Sequence, residues 1–185
     1  ALEGQKPVQE CRTRVRERFG LPPDTRIGVG IERFDYTKGI IDRMRAVDSF
    51  LGEHPEWRGK FVFLQAAAPT RSKLPSYRTL QDEAFAVAQE INERHGVDGV
   101  DPIRLVARHH EPQEVFELFR ASDLCIVSSL HDGMNLVAKE FVASRDDEQG
   151  VLILVDAARL RKRLRIRKLI AKNKSLADQR AANDG

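Results

Sequence analysis

Five short apolar runs, rich in β-branched residues and separated by stretches of helical period, constrain this chain more than any other feature. The runs are RIGVGI (26–31), KFVFLQAA (60–67), IRLVA (103–107), DLCIVSS (123–129) and VLILV (151–155). Between the first two, Ile40, Met44, Val47 and Leu51 recur at the spacing of one helical face. Tyr77, Leu80, Ala84, Val87 and Ile91 repeat the pattern before the third run. Val115, Phe116 and Phe119 mark a short helix after Pro112. Leu136, Val137, Phe141 and, less regularly, Ala138 mark one side of another that starts near Met134. Strands that are apolar throughout need cover on both faces, and strands joined through helices run parallel. The expected fold class is α/β, a doubly wound parallel sheet with right-handed crossovers. Such sheets bind ligands outside the carboxyl ends of their strands. The loops after residues 31, 67, 107 and 129 are therefore the places to look.

A chain of 185 residues is long enough for one domain with a substantial core. No run approaches the roughly 18 apolar residues of a membrane span, and no N-terminal signal pattern stands out. Cys11 and Cys125 are too far apart for a metal motif and too few for a disulfide framework, so a cytoplasmic location is expected. The net charge of +3 is unevenly spread: ten of the 31 Lys and Arg, but only three of the 28 Asp and Glu, fall in residues 151–185. The body is thus mildly acidic, and neither nucleic acid nor membrane is an expected partner of it; only the basic tail leaves contact with RNA or an anionic membrane open. On this basis the chain divides into a domain at 1–155 and a basic tail at 156–185.

The loops hold the chemistry-bearing side chains. In GVGIERFDYTKGI the glycines do not fit the GxGxxG dinucleotide fingerprint. Arg33 and Lys38 flank the strand end and the next helix start, with Asp35 between them. Two cations at such a corner clamp a diphosphate, or they pair at the surface with Glu32 or Asp35; the residues alone leave both readings open. Arg71 and Lys73, in AAAPTRSK, form either a second cationic edge or a solvated loop. His109 and His110 are a poor metal pair by themselves, since a site needs three or four convergent ligands. In HDGMNLVAKEFVAS, Asp132, Gly133 and Asn135 crowd a helix N-terminus, which suits either a phosphate or an ordinary cap.

In order and wording, ERFDYTKGI, HPEWRGKFVFLQAAAPTR, PSYRTLQDE, EINERHG and SSLHDGMNLVAKEFVAS together resemble the trehalose-6-phosphate synthase family. Its members are retaining glycosyltransferases of the two-domain GT-B type. The resemblance covers roughly residues 10 to 154 and concerns the C-terminal, Rossmann-like donor domain. It implies transfer of glucose from UDP-glucose to glucose 6-phosphate, giving trehalose 6-phosphate and UDP. An acceptor such as glycerol 3-phosphate, or a non-catalytic UDP-sugar-binding subunit, is the alternative. The other half of the enzyme, or a partner chain, would supply most of the acceptor site, and this segment alone is expected to be inactive.

By that resemblance Arg33 and Lys38 hold the diphosphate and Asp132 contacts glucose hydroxyls. Backbone amides at Gly133, Met134, Asn135, Leu136 and Val137 meet the sugar and phosphates. Glu140, read as two turns into the helix, accepts hydrogen bonds from the ribose. Arg71 helps bind the phosphate of glucose 6-phosphate. His110 matches a position beside the uracil that is commonly aromatic, and His131 replaces a frequent arginine. Asp132, Arg33 and Lys38 are the catalytic set. A front-face displacement, with the departing phosphate taking the acceptor proton, requires neither metal nor cofactor.

The pattern breaks after residue 154. VDAARLRKRLRIRKLIAKNKSLADQRAANDG lacks the family's ending, and an altered reading frame or a genuine basic tail would each account for it. Leu160, Leu164, Ile166 and Leu169 outline an irregular amphipathic helix crowded with like charges.

Overall fold

The structure, a computed structural model, describes residues 5–69, 75–129 and 135–154. Its five strands form one parallel sheet in the order β3-β2-β1-β4-β5. They are β1 (Arg26–Arg33), β2 (Phe61–Ala68), β3 (Ile103–Val106), β4 (Leu124–Val127) and β5 (Val151–Leu154). The helices are α1 (Val8–Phe19), α2 (Ile40–Glu53), α3 (Pro75–His95), α4 (Pro112–Ala121) and α5 (Leu136–Ala143). Among the described residues, no helix is long and apolar enough to cross a membrane. The expected doubly wound sheet is thus present. The proposed tail at 156–185 lies outside the described residues.

Period-two alternation divides the strands between two cores. One face buries Phe61, Phe63, Leu124 and Ile126 under Met44, Val47 and Leu51 of α2 and Ala84 and Ile91 of α3. The other buries Ile27, Val29, Val62, Leu64 and Cys125 under Cys11 and Val15 of α1, Phe119 of α4 and Phe141 of α5. The glycines of GVG serve this packing. A Cβ on Gly28 would lie 2.8 Å from Phe61 Cζ and 2.9 Å from Phe63 Cδ2, both buried rings. β1 therefore omits two side chains so that two phenylalanines of β2 can lie beneath α2.

Two sequence expectations need correction. Helix α1 was not anticipated: it buries only Cys11 and Val15, too sparse an apolar stripe to announce itself among arginines. Helix α5 starts at Leu136 with Asn135 as its N-cap, two residues past the position near which it was expected. Ala138 and Phe141 are its buried residues, while Leu136 is 59% exposed. At about 100° per residue, Leu136 points almost opposite Ala138, so it cannot share the inward stripe.

Candidate donor-binding site

The strand order says which loops matter. From β1 the chain winds one way to β2 and β3, then returns to lay β4 and β5 on the opposite side of β1. The connections leaving β1 and β4 lead to opposite sides of the strand order, and the carboxyl ends of such a pair are where doubly wound sheets hold their ligand crevice. Those connections carry the two most distinctive motifs, RFDYTKG and SSLHDGMN.

The first is a tight, hydrogen-bonded turn. Arg33 ends β1 and is exposed, and among the described residues it makes no ion pair. Asp35 caps a 3-10 turn at Tyr36–Lys38, accepting from Thr37 N–H at 2.8 Å and Thr37 Oγ at 2.7 Å. Burial pushes the Asp35 carboxyl up, but these hydrogen bonds and the Lys38 and Arg33 charges outweigh it, and its pKa is lowered. Gly39, with φ 66°, takes the left-handed conformation that turns the chain into α2.

Beneath that turn lies a side chain that the sequence reading passed over. Arg43, in the first turns of α2, is fully buried. Its Nη1 donates to Glu32 Oε1 at 2.7 Å and to the Ile126 carbonyl at 2.9 Å; its Nη2 donates to the Lys38 carbonyl at 3.2 Å. Glu32 therefore pairs with Arg43, with only 3% of its side chain exposed, and not with Arg33 at the surface. Ser128, just past β4, donates toward the carbonyls of Lys38 and Gly39 at 3.2 and 3.3 Å. The two motif loops are thus bonded to each other. A signal existed: Arg43 sits three residues after Ile40 and four before Val47, on the buried face.

On the α5 side, Asn135 Oδ1 accepts from Ala138 N–H at 3.0 Å, and Asn135 Nδ2 donates to Ser129 Oγ at 3.3 Å. The side chain is a cap, and the amides of Leu136 and Val137 begin the helix ahead of it. Glu140 is exposed and lies four residues along α5 from Leu136, about 6 Å by the helical rise. With α5 starting where it does, Glu140 is just over one turn from the N-terminus, not two. Arg71, Lys73, His131, Asp132, Gly133 and Met134 lie outside the described residues.

His110 is held from two sides. Its Nδ1 is 3.2 Å from Glu114 Oε2 and its Nε2 is 3.4 Å from the Val106 carbonyl, with 5% of the side chain exposed. Glu114 also takes two hydrogen bonds from Arg108, which chiefly lower its pKa. His110 thus ties α4 to the end of β3, while His109 is 80% exposed. Tyr36, 65% exposed, stands beside Tyr77 of α3 with ring centroids 6.2 Å apart. Among the described residues, no group of His, Cys, Asp and Glu is arranged to hold a metal ion.

The profile of glycosyltransferase family 20 matches residues 2–167. The chain belongs to glycosyltransferase family 20. The family match is wider at both ends than the 10–154 resemblance and enters the segment set apart as a tail. A UDP-forming alpha,alpha-trehalose-phosphate synthase of Pichia angusta is 37% identical over 160 residues, covering 85% of this chain and 33% of that protein. A UDP-forming synthase of Burkholderia xenovorans, solved with glucose 6-phosphate, superposes with a TM-score of 0.72 at 31% identity. That match covers 82% of this chain and 35% of the other. The E. coli trehalose-6-phosphate structure bound with UDP-2-fluoro glucose gives a TM-score of 0.72 at 30% identity, covering 84% and 34%. The chain thus spans about a third of the length of these relatives.

Proposed function

We propose that this chain carries the UDP-glucose-binding part of a UDP-forming trehalose-phosphate synthase, whose whole protein transfers glucose to glucose 6-phosphate. The observation that carries the reading is the bonding of the Lys38 turn to the end of β4 through Ser128 and Arg43. It ties the loop that carries Arg33 and Lys38 to the loop that leads into α5, beside the switch point of the sheet. A diphosphate there would meet Arg33, Lys38 and the N–H groups of Leu136 and Val137, all of which favour negative charge. The same groups would stabilise the charge that grows as UDP departs. Asp132, with the amides of Gly133 and Met134, would hold the glucose; Glu140 would hold the ribose, and Arg71 the acceptor phosphate. These roles draw on motif resemblance and on relatives solved with glucose 6-phosphate and with UDP-2-fluoro glucose. His110, tied through both ring nitrogens, would support the uracil end of the crevice by shaping it. The reading calls on no metal or cofactor. A cytoplasmic setting goes with it and with two cysteines that are free and buried.

Calorimetric titration with UDP and with uridine tests the assignment. Arg33→Ala and Lys38→Ala should each weaken UDP binding by about 1.5–3 kcal/mol, the value of a charge-assisted contact, and leave uridine binding unchanged. Glu140→Gln should weaken both ligands, because both carry the ribose. Equal losses for UDP and uridine in the Arg33 and Lys38 variants would overturn the diphosphate assignment.

A further inference from the structure

Helix α2 turns one face to the core, and on it Ile40, Met44, Val47, Phe50 and Leu51 are buried together with one arginine. A leucine or methionine at that position would avoid removing a guanidinium from water, so the charge calls for a reason. Its partners supply one. They come from three separate segments: Glu32 of β1, the Ile126 carbonyl of β4 and the Lys38 carbonyl of the motif turn. A planar fork with donors spread over two nitrogens suits three acceptors on separate segments better than the point charge of an ammonium or the two donors of an amide. β1 also makes room for it, since a Cβ on Gly30 would lie 3.2 Å from Arg43 Nη1.

We propose that Arg43 is a positioning residue, anchoring the Lys38 turn against β4 so that the Lys38 side chain meets a diphosphate in the crevice. The inference rests on the donor-site reading given above. Glu32, at 2.7 Å, neutralises the guanidinium, so Arg43 acts by geometry and not as a further phosphate ligand. Ser128 converges on the same carbonyl from β4 and is the second anchor. Fixing the backbone of Lys38 in advance reduces what binding must order.

The test uses the full chain with three variants, Arg43→Gln, Arg43→Lys and Ser128→Ala. Each is titrated with UDP and uridine, and hydrogen exchange is followed over residues 34–42. Arg43→Gln should lower UDP affinity about tenfold or more, leave uridine affinity unchanged and speed exchange in 34–42 without changing β2. Arg43→Lys should recover part of the UDP affinity, because one ammonium reaches fewer of the three acceptors. Ser128→Ala, the milder change, should show the same UDP-selective loss and faster exchange if Arg43→Gln does not fold. Unchanged UDP affinity and unchanged exchange in a folded variant would overturn the proposal, as would equal losses for UDP and uridine. A wild-type chain that binds uridine but gains nothing from the diphosphate would refute the donor-site reading and the phosphate half of this one. Exchange over 34–42 would then still decide whether Arg43 anchors the turn.

Discussion

Changing Glu32 to glutamine tests the energetics of the buried pair directly. The substitution keeps size and one acceptor oxygen but removes the only carboxylate among the described residues that is bonded to Arg43, whose side chain is fully buried. Removing one partner of a buried pair costs about 3–5 kcal/mol, because the other charge remains without its counter-ion. Here the carbonyls of Ile126 and Lys38 still accept from the guanidinium, which places the expected cost near the lower end, about 3 kcal/mol. A domain has only about 5–15 kcal/mol of stability in total, so the shift is readily measured. Urea unfolding followed by far-UV circular dichroism should show a lower midpoint with an unchanged slope. Removing both charges, with Glu32→Gln and Arg43→Met, should cost clearly less than the two single losses summed. A cost under about 1 kcal/mol for Glu32→Gln, the range of an exposed pair, would refute the reasoning, as would simple additivity in the double variant.

Gly28→Ala should destabilise the domain by about 1–3 kcal/mol, since the new methyl meets two buried rings that cannot both withdraw; a melting temperature equal to wild type would show that β1 and β2 have slack there. Asp35 has a folded pKa below its ordinary 3.8, so its contribution is complete above that value and disappears as pH falls through the lower, folded one. The stability difference between wild type and Asp35→Asn, measured by denaturant unfolding at a series of pH values, should therefore hold constant at neutral pH and shrink on the acid side. A difference that persists below both pKa values would count against the linkage.

Much of the fold was legible because it rests on local signals. The run RIGVGI lies within Arg26–Arg33, and the row Ile40, Met44, Val47 and Leu51 lies within Ile40–Glu53 and is buried there. Strand order was not legible, because it depends on pairings such as Gly28 with Leu124 that no local period encodes. The order matters for the site: without it, four strand ends were equal candidates, and with it the ends of β1 and β4 stand apart. Arg43 was missed for a different reason. A charged residue is counted as solvent-facing by default, and only its place in the Ile40–Val47 stripe contradicts that default. Leu136 failed in the opposite sense: apolar and one residue beyond the cap, it was assigned to the core, although Asn135 starts the helix at a phase that turns it outward.

The placement of carboxylates, more than that of cations, separates the two ends of the sheet. At the amino end, Asp123 pairs with Arg12 and Arg26 at 3.3 and 3.0 Å while its other oxygen accepts from Ile27 N–H at 2.9 Å. Nearby, Arg145 pairs with Asp147 and donates to three carbonyls around the end of α4. Those arginines are committed to holding the chain together. At the carboxyl end, Glu32 is turned under α2 to Arg43, and Asp35 is turned back on Thr37. Neither carboxylate makes an ion pair with Arg33 among the described residues, and Arg33 stands exposed at the strand end. Had Glu32 faced solvent beside Arg33, their opposite charges would have cancelled at the mouth of the crevice, and an incoming phosphate would have had to displace a carboxylate. Burying that glutamate against Arg43 therefore does two things through one pair: it fixes the turn, and it keeps the Glu32 carboxylate away from Arg33.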